Sequence, residues 1–169
     1  MSMLLNFSFK SCVLILSIAL TSTACAKNCE EDNHALRSMP LSEVIITNQD
    51  QQRLTFSVRI ASTQTTRSAG FQRVCESTIK QTPILFVFNY PMRPRFHMNN
   101  VVAPIDIAFI QADGSIDSIQ AMKPYILGSK NKPLYSPRSQ IIAALEAHAG
   151  FFEKNGIDLN SHVAWNSAK

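Results

Sequence analysis

Few polar side chains in this sequence sit where apolar neighbours would make them chemically useful. The block Phe96-His97-Met98-Asn99-Asn100 and the nearby Asp106, set between Ile105 and Ile107, hold the best of them. If the block is a strand, alternate residues face opposite sides. His97 and Asn99 then share one face, while Asn100 follows Phe96 and Met98 toward the interior or its rim. Buried polar groups demand partners, so two readings arise. In one, Asn100 and Asp106 orient a ligand in a small polar pocket with Arg67 nearby. In the other, the commoner use of buried Asn and Asp, they tie loops to the sheet through backbone hydrogen bonds.

Other chemistries have weaker claims. Cys75, Met92, His97, Met98 and Met122 are soft or borderline metal ligands. They would suit copper if they converged, yet their spacing fits no ligand motif, and methionines in a small core commonly fill gaps. Hydrolysis needs a nucleophile, a base and an orienter. Ser136 beside Arg138, and His97 with Asp106, are fragments of such a set, and no G-x-S-x-G exists. Paired carboxylates for glycoside chemistry are not expected, with acids in the core blocks read as nearly limited to Asp106. No cofactor is implied. The expectation is a non-catalytic ligand-binding or accessory domain, with a hydrolase-like enzyme or a copper-binding protein as alternatives.

The elements that must position these residues begin after an export signal. A polar start with Lys10 leads into Cys12-Val13-Leu14-Ile15-Leu16-Ser17-Ile18-Ala19-Leu20, then small residues ending Ala24-Cys25-Ala26. The apolar run is too short to span a bilayer, and the three regions together read as a secretory signal peptide over 1–26. The location expected is periplasmic or secreted. Lipidation at Cys25 is the competing route and the only one that would bring a membrane; Ser22 stands where a lipobox would have Leu. Net charge is +4, without basic blocks, which gives no reason to expect nucleic acid. The partner expected is a small ligand or another periplasmic protein. Cys29 and Cys75 remain after cleavage, and an oxidising compartment favours a bridge between them over two free thiols.

Residues 27–41 read as a loosely held polar leader, and 42–166 as one domain. Val44 to Thr47, the turn Asn48-Gln49-Asp50 and the alternating Leu54 to Ile60 predict a hairpin. Ser62 to Gly70 predicts a short helix with Ser62 as its N-cap and Gly70 as its stop. Ile84 to Phe88 is a fully apolar strand, ended by Pro91 and Pro94. Ile105 to Ile110 and Ile116 to Met122 form a second hairpin around Asp113-Gly114. Leu127 to Arg138 is a long loop. Ile141, Ala144, Leu145, His148 and Phe152 fall on a helical face that Gly150 interrupts.

From about Leu54 to Val163 the chain resembles the DUF192 family, a domain of unknown function. The resemblance rests on Arg67-Ser68-Ala69-Gly70-Phe71 (R-A-x-G-L in the family), Ile84 to Phe88 (G-M-L-F-V-F), and Phe96 to Val101 (F-W-M-K-N-T). Pro104 to Ile110, Asp113-Gly114, Tyr135 and Gly150 to Ile157 follow in order. It implies a mainly β, single jelly-roll-like sandwich or barrel with one or two short helices, often exported. It also implies a strand over Ile141 to Ala147 and a short helix near Phe151 to Asn155, in place of one long helix. No activity is established for the family, so no catalytic residue carries over. Arg67, His97, Asn100, Asp106 and Tyr135 form the candidate ligand-binding set. The family's Trp, Lys and Thr positions hold His97, Asn99 and Val101, and Met122-Lys123-Pro124-Tyr125 lacks the cysteine found in many relatives.

Processing can be checked directly. The intact mass of the exported protein should correspond to a chain starting at Lys27 without acyl groups. A diacylated or triacylated species starting at Cys25 would overturn that start.

Overall fold

The computed structural model describes residues 29–166 apart from 32 and 127. The expected signal peptide over 1–26, with Cys25, lies outside the described residues. In chain order the elements are α1 (His34–Arg37), β1 (Leu41–Thr47), β2 (Arg53–Ala61), α2 (Gln64–Ala69), α3 (Glu76–Ile79), β3 (Ile84–Met92), β4 (Ile105–Ile110), β5 (Ile116–Met122), β6 (Ile141–His148), α4 (Phe151–Lys154) and β7 (His162–Trp165). The expected mainly β domain with short helices is present. Its described strands form one mixed sheet in the order β5-β4-β6-β3-β2-β1-β7.

Both expected hairpins form. In the first, β1 and β2 pair antiparallel, and the Asn48 carboxamide oxygen closes the turn by accepting from the Asp50 and Gln52 amides. In the second, β4 pairs with β5 across Asp113-Gly114. Strand β2 then pairs parallel with β3. A parallel pair needs a crossover, and that crossover carries α2 and α3. The α2 cap lies one residue later than the sequence suggested. Thr63 and Thr66 bond reciprocally, each side chain to the other's amide, while the Ser62 carbonyl accepts from Arg67.

Strands β3 (over Ile84 to Phe88), β4 and β6 are largely apolar on both faces because both faces are mostly buried. Ile84, Phe86 and Phe88 enter one cluster with Ile105, Ile107 and Phe109. Leu85 enters a second with Ala108, Ile110, Leu145 and Ala147, closed over by β1, β2 and α4. Strand β6 replaces the helical face read from spacing, as the family pattern implied. Strand β3 does not stop at Pro91. It continues to Met92, with a register shift against β6 between Val87 and Met92 that leaves Pro91 exposed. Proline is tolerated where the ladder is already interrupted.

The leader is not loose from residue 29 onward. Leu36 and Met39 are buried in the first cluster, and the Met39 carbonyl accepts from Arg59 at 3.0 Å. Glu30 bridges to Val74, and Cys29 is bonded to Cys75. Two apolar side chains and a covalent tie offset the entropy of ordering this polar stretch. At the far side, the edge strands β5 and β7 meet at a Ser115–His162 bridge, and the Val163 amide donates to the Gly114 carbonyl at 2.8 Å. Gly114 has φ +88°, and a Cβ there would lie 2.5 Å from the Val163 oxygen, so glycine is required.

The long segment between β5 and β6 has no helix or strand among its described residues. It is tied at two places. Tyr135 exchanges backbone hydrogen bonds with Phe96 at 2.8 and 2.9 Å, and the Asp117 carboxylate accepts from the Arg138 and Ser139 amides.

The disulfide joins cysteines 46 positions apart. Closing a loop of that length in the unfolded chain is worth about 4 kcal/mol in the entropic treatment. Reduction, or Cys29→Ser with Cys75→Ser, should lower the urea-unfolding free energy by about that amount. An unchanged midpoint would show that the leader is held by packing alone.

Candidate functional site

A cleft of about 330 Å³ opens between α2, strand β3 and the segment that follows β3. Its apolar wall is Phe86, Phe88 and Phe96. The Phe86 and Phe96 rings meet edge-to-face at 5.2 Å, and Phe96 meets Phe109 at 5.6 Å, which fixes the ring directions. Its polar members include Arg67, Arg95, His97 and Glu146.

Each polar group has a definite local cause. Arg67 stands in the last turn of α2, where its Nη1 donates to the Ser62 carbonyl and, at 3.0 Å, to the Val87 carbonyl. Its Cζ lies 5.6 Å from the Phe88 ring centre, within cation–π range. Gly70 ends the helix with φ +47°. A Cβ there would come to 3.4 Å from Phe86 and 3.7 Å from Glu146 Oε2, so the missing side chain leaves room above the carboxyl. His97 Nδ1 accepts from the Asn99 amide at 3.3 Å, which places the proton of the neutral ring on Nε2.

Glu146 is the unusual residue. It lies in β6 opposite Ile84 of β3 and Ile107 of β4, and only 5% of its surface is exposed. No described residue hydrogen-bonds its carboxyl or forms an ion pair with it. Burial pushes its pKa from 4.5 up to about 8, because the charged form loses water and gains no compensating partner. Near neutral pH it is a carboxylic acid with one proton to donate. Glu146 was missed at the sequence level, where acids in the core blocks were read as nearly limited to Asp106. The signal existed: one Glu inside the apolar run Ile141 to Ala147.

The five candidate residues do not assemble. Arg67 and His97 share the cleft. Asn100 lies elsewhere and is exposed, with φ +56°. The chain turns at Met98 to Val101, so the alternation that would have sent Asn100 inward breaks after Met98. Its carboxamide donates to Gln72 Oε1 at 3.2 Å, and its carbonyl accepts from the Arg73 amide. Asp106 lines a different cleft beside α4 and accepts from the Gly150 amide at 2.7 Å, the loop-tying role. Tyr135 packs against the first cluster, and its hydroxyl accepts from the Lys123 amide at 3.3 Å. His97 and Asp106 are therefore not a catalytic pair. Of the soft-ligand set only Met92 and His97 line the cleft: Cys75 is spent in the disulfide, while Met98 and Met122 are sealed in the core. No cluster of three or more His, Cys, Asp or Glu able to hold a metal occurs among the described residues.

Three segments that carried the family resemblance, around Arg67, Phe86 and Phe96, surround this one cleft. The model of the family described as "Uncharacterized ACR" matches residues 44–165. The chain belongs to the DUF192 family. Solved structures of similar fold include two crystal structures. One, from Sinorhizobium meliloti and described as a proposed transcription regulator, has a TM-score of 0.66 at 20% identity, covering 76% of this chain and 95% of that one. The other, a protein of unknown function from Novosphingobium aromaticivorans, has a TM-score of 0.66 at 22% identity, covering 82% and 95%. At such identity the likeness concerns fold alone. No curated protein matches the chain.

The titration of Glu146 gives this DUF192 domain a pH signature. Between about 4.5 and 8 the unfolded chain releases the proton and the folded one keeps it, so stability falls as pH rises through that window. Glu146→Gln keeps the shape without the titration. In denaturant melts the variant should gain on the wild type by about 1.4 kcal/mol per pH unit within the window, and the gap should level off above it. Parallel stability curves would show that the carboxyl is charged in the folded state.

Proposed function

We propose that the protein is an exported, non-catalytic domain that binds a small ligand in the cleft over Glu146. One observation carries this reading: a buried carboxyl without a protein partner lies open to a cleft that a ligand could fill. An unpaired buried polar group costs about 1–3 kcal/mol, and a ligand supplying the missing partner would recover part of that. Apolar walls with a few convergent polar groups and a perturbed carboxyl are the usual make-up of a small-molecule site. The convergence of three family-defining segments on the cleft supports the same reading.

Export is supported by the signal-like 1–26 and by the Cys29–Cys75 bridge, since such bridges persist in oxidising compartments. The cleavage point after Ala26 and the leader and domain boundaries follow from that reading. For the fold, the meeting of the sheet's edges at Ser115–His162 supports a jelly-roll-like or barrel-like curl.

Amide chemical shifts recorded against a library of small metabolites provide the test. Hits should perturb Arg67, Gly70, Phe88, His97 and Glu146 together. Ser68→Trp, a change at an exposed residue on the cleft wall, should abolish those shifts while altering stability by no more than about 0.5 kcal/mol. Hits that all map to the Asp106 cleft, or that survive Ser68→Trp, would sink the assignment.

A further inference from the structure

Resting on the ligand-binding reading above, we propose that the cleft selects a small amphipathic anion. Its flat apolar body would lie against Phe86, Phe88 and Phe96, its acidic head would meet Arg67 and Arg95, and an oxygen at its inner end would accept a hydrogen bond from Glu146.

Charge sets the sign of the ligand. Among the described residues lining the cleft, two are guanidinium groups, Arg67 and Arg95, and Glu146 is the sole acid. That acid is buried and stays neutral near pH 7, so the field in the cleft is positive and favours an anion. An organic cation would have to enter a cleft lined by Arg67 and Arg95 with no carboxylate to pair with. The groups around Glu146 reinforce this. Arg67 lines the cleft from α2, Arg95 and His97 line it from the segment after β3, and the flanking strands place Ile84 and Ile107 opposite Glu146.

Donor geometry sets the head group. Arg67 spends Nη1 on the Ser62 and Val87 carbonyls, and no described residue accepts from Nη2 or Nε. The free edge is a rigid fork that matches a carboxylate or another planar oxyanion. Phe88 beneath the guanidinium holds that fork in place.

The inner end follows from the carboxyl itself. A neutral acid carries one O–H donor, and no described group accepts it. Gly70 keeps the space above Oε2 open. A carbonyl oxygen on the ligand satisfies that donor, whereas a methyl or ethyl group leaves it buried and unpaired.

Isothermal titration of the exported protein with three probes at pH 6.5 separates these claims. The probes are 4-acetylbenzoate (anion with acceptor), 4-ethylbenzoate (anion without acceptor) and 4-acetylbenzylamine (cation with acceptor). The first should bind tightest, the second about tenfold more weakly, and the third more weakly than both. For 4-acetylbenzoate the affinity should fall by about tenfold per unit above pH 8, as the donor ionises. Glu146→Met should erase the difference between the two benzoates, and Arg95→Met, at an exposed site, should weaken both severalfold. Equal binding of the two benzoates, or tighter binding of the amine, overturns the proposed ligand class but leaves the cleft a binding site. Binding of none of the probes, with other library hits still mapping to the cleft, also overturns the class. Hits that map only outside the cleft overturn both this proposal and the reading it rests on.

Discussion

Burying both faces of the same three strands leaves little tolerance for polar side chains between them. Strands β3, β4 and β6 supply side chains to two separate apolar clusters, so along Ile84 to Phe88, Ile107 to Ile110 and Ala143 to Ala147 most positions face a core whichever way they point. Glu146 breaks that pattern on β6. A carboxylate there would need a cation or several donors, and the structure provides neither. The group survives by remaining uncharged. The opening above it, the glycine at the end of α2 and the aromatic wall all concern that one residue.

The surroundings divide the labour between rigidity and vacancy. Arg67 is anchored at one guanidinium nitrogen and left free on the other edge. The aromatic side chains are locked by edge-to-face contacts. Short α2 is capped at both ends, by Thr63 and by Gly70, so the arginine it carries has little freedom to wander. Preorganisation of this kind lowers the ordering cost of binding.

Regular alternation and turn chemistry made most of the sheet legible. Leu54 to Ile60 and Asp113-Gly114 carried their structure in local pattern, and Cys29 with Cys75 carried theirs in compartment logic. The failures were nonlocal. Leu36 and Met39 read as part of a polar leader because two apolar residues give no period; a partner surface elsewhere decides their burial. Asn100 was sent inward by alternation that held only as far as Met98, where the backbone turned. Glu146 was overlooked although the resemblance implied a strand over Ile141 to Ala147, because one glutamate forms no pattern and its burial depends on β3 and β4 lying on either side. Once the segment is a central strand, the same residue becomes a buried acid. Arg67 and His97 were named from the sequence, but Glu146, which lines the same cleft, was not.

The contact between the sheet's two ends bears on behaviour in a crowded compartment. Open edges expose unpaired amides and carbonyls, the template on which strands from other molecules add. Here β5 and β7 begin by occupying one another, through Ser115–His162 and the Val163 to Gly114 bond, and the close approach admits only glycine at position 114. Any larger residue there would prise the two edges apart. Its harm would fall on colloidal behaviour, leaving a domain with its cleft intact but its flanks open to self-association.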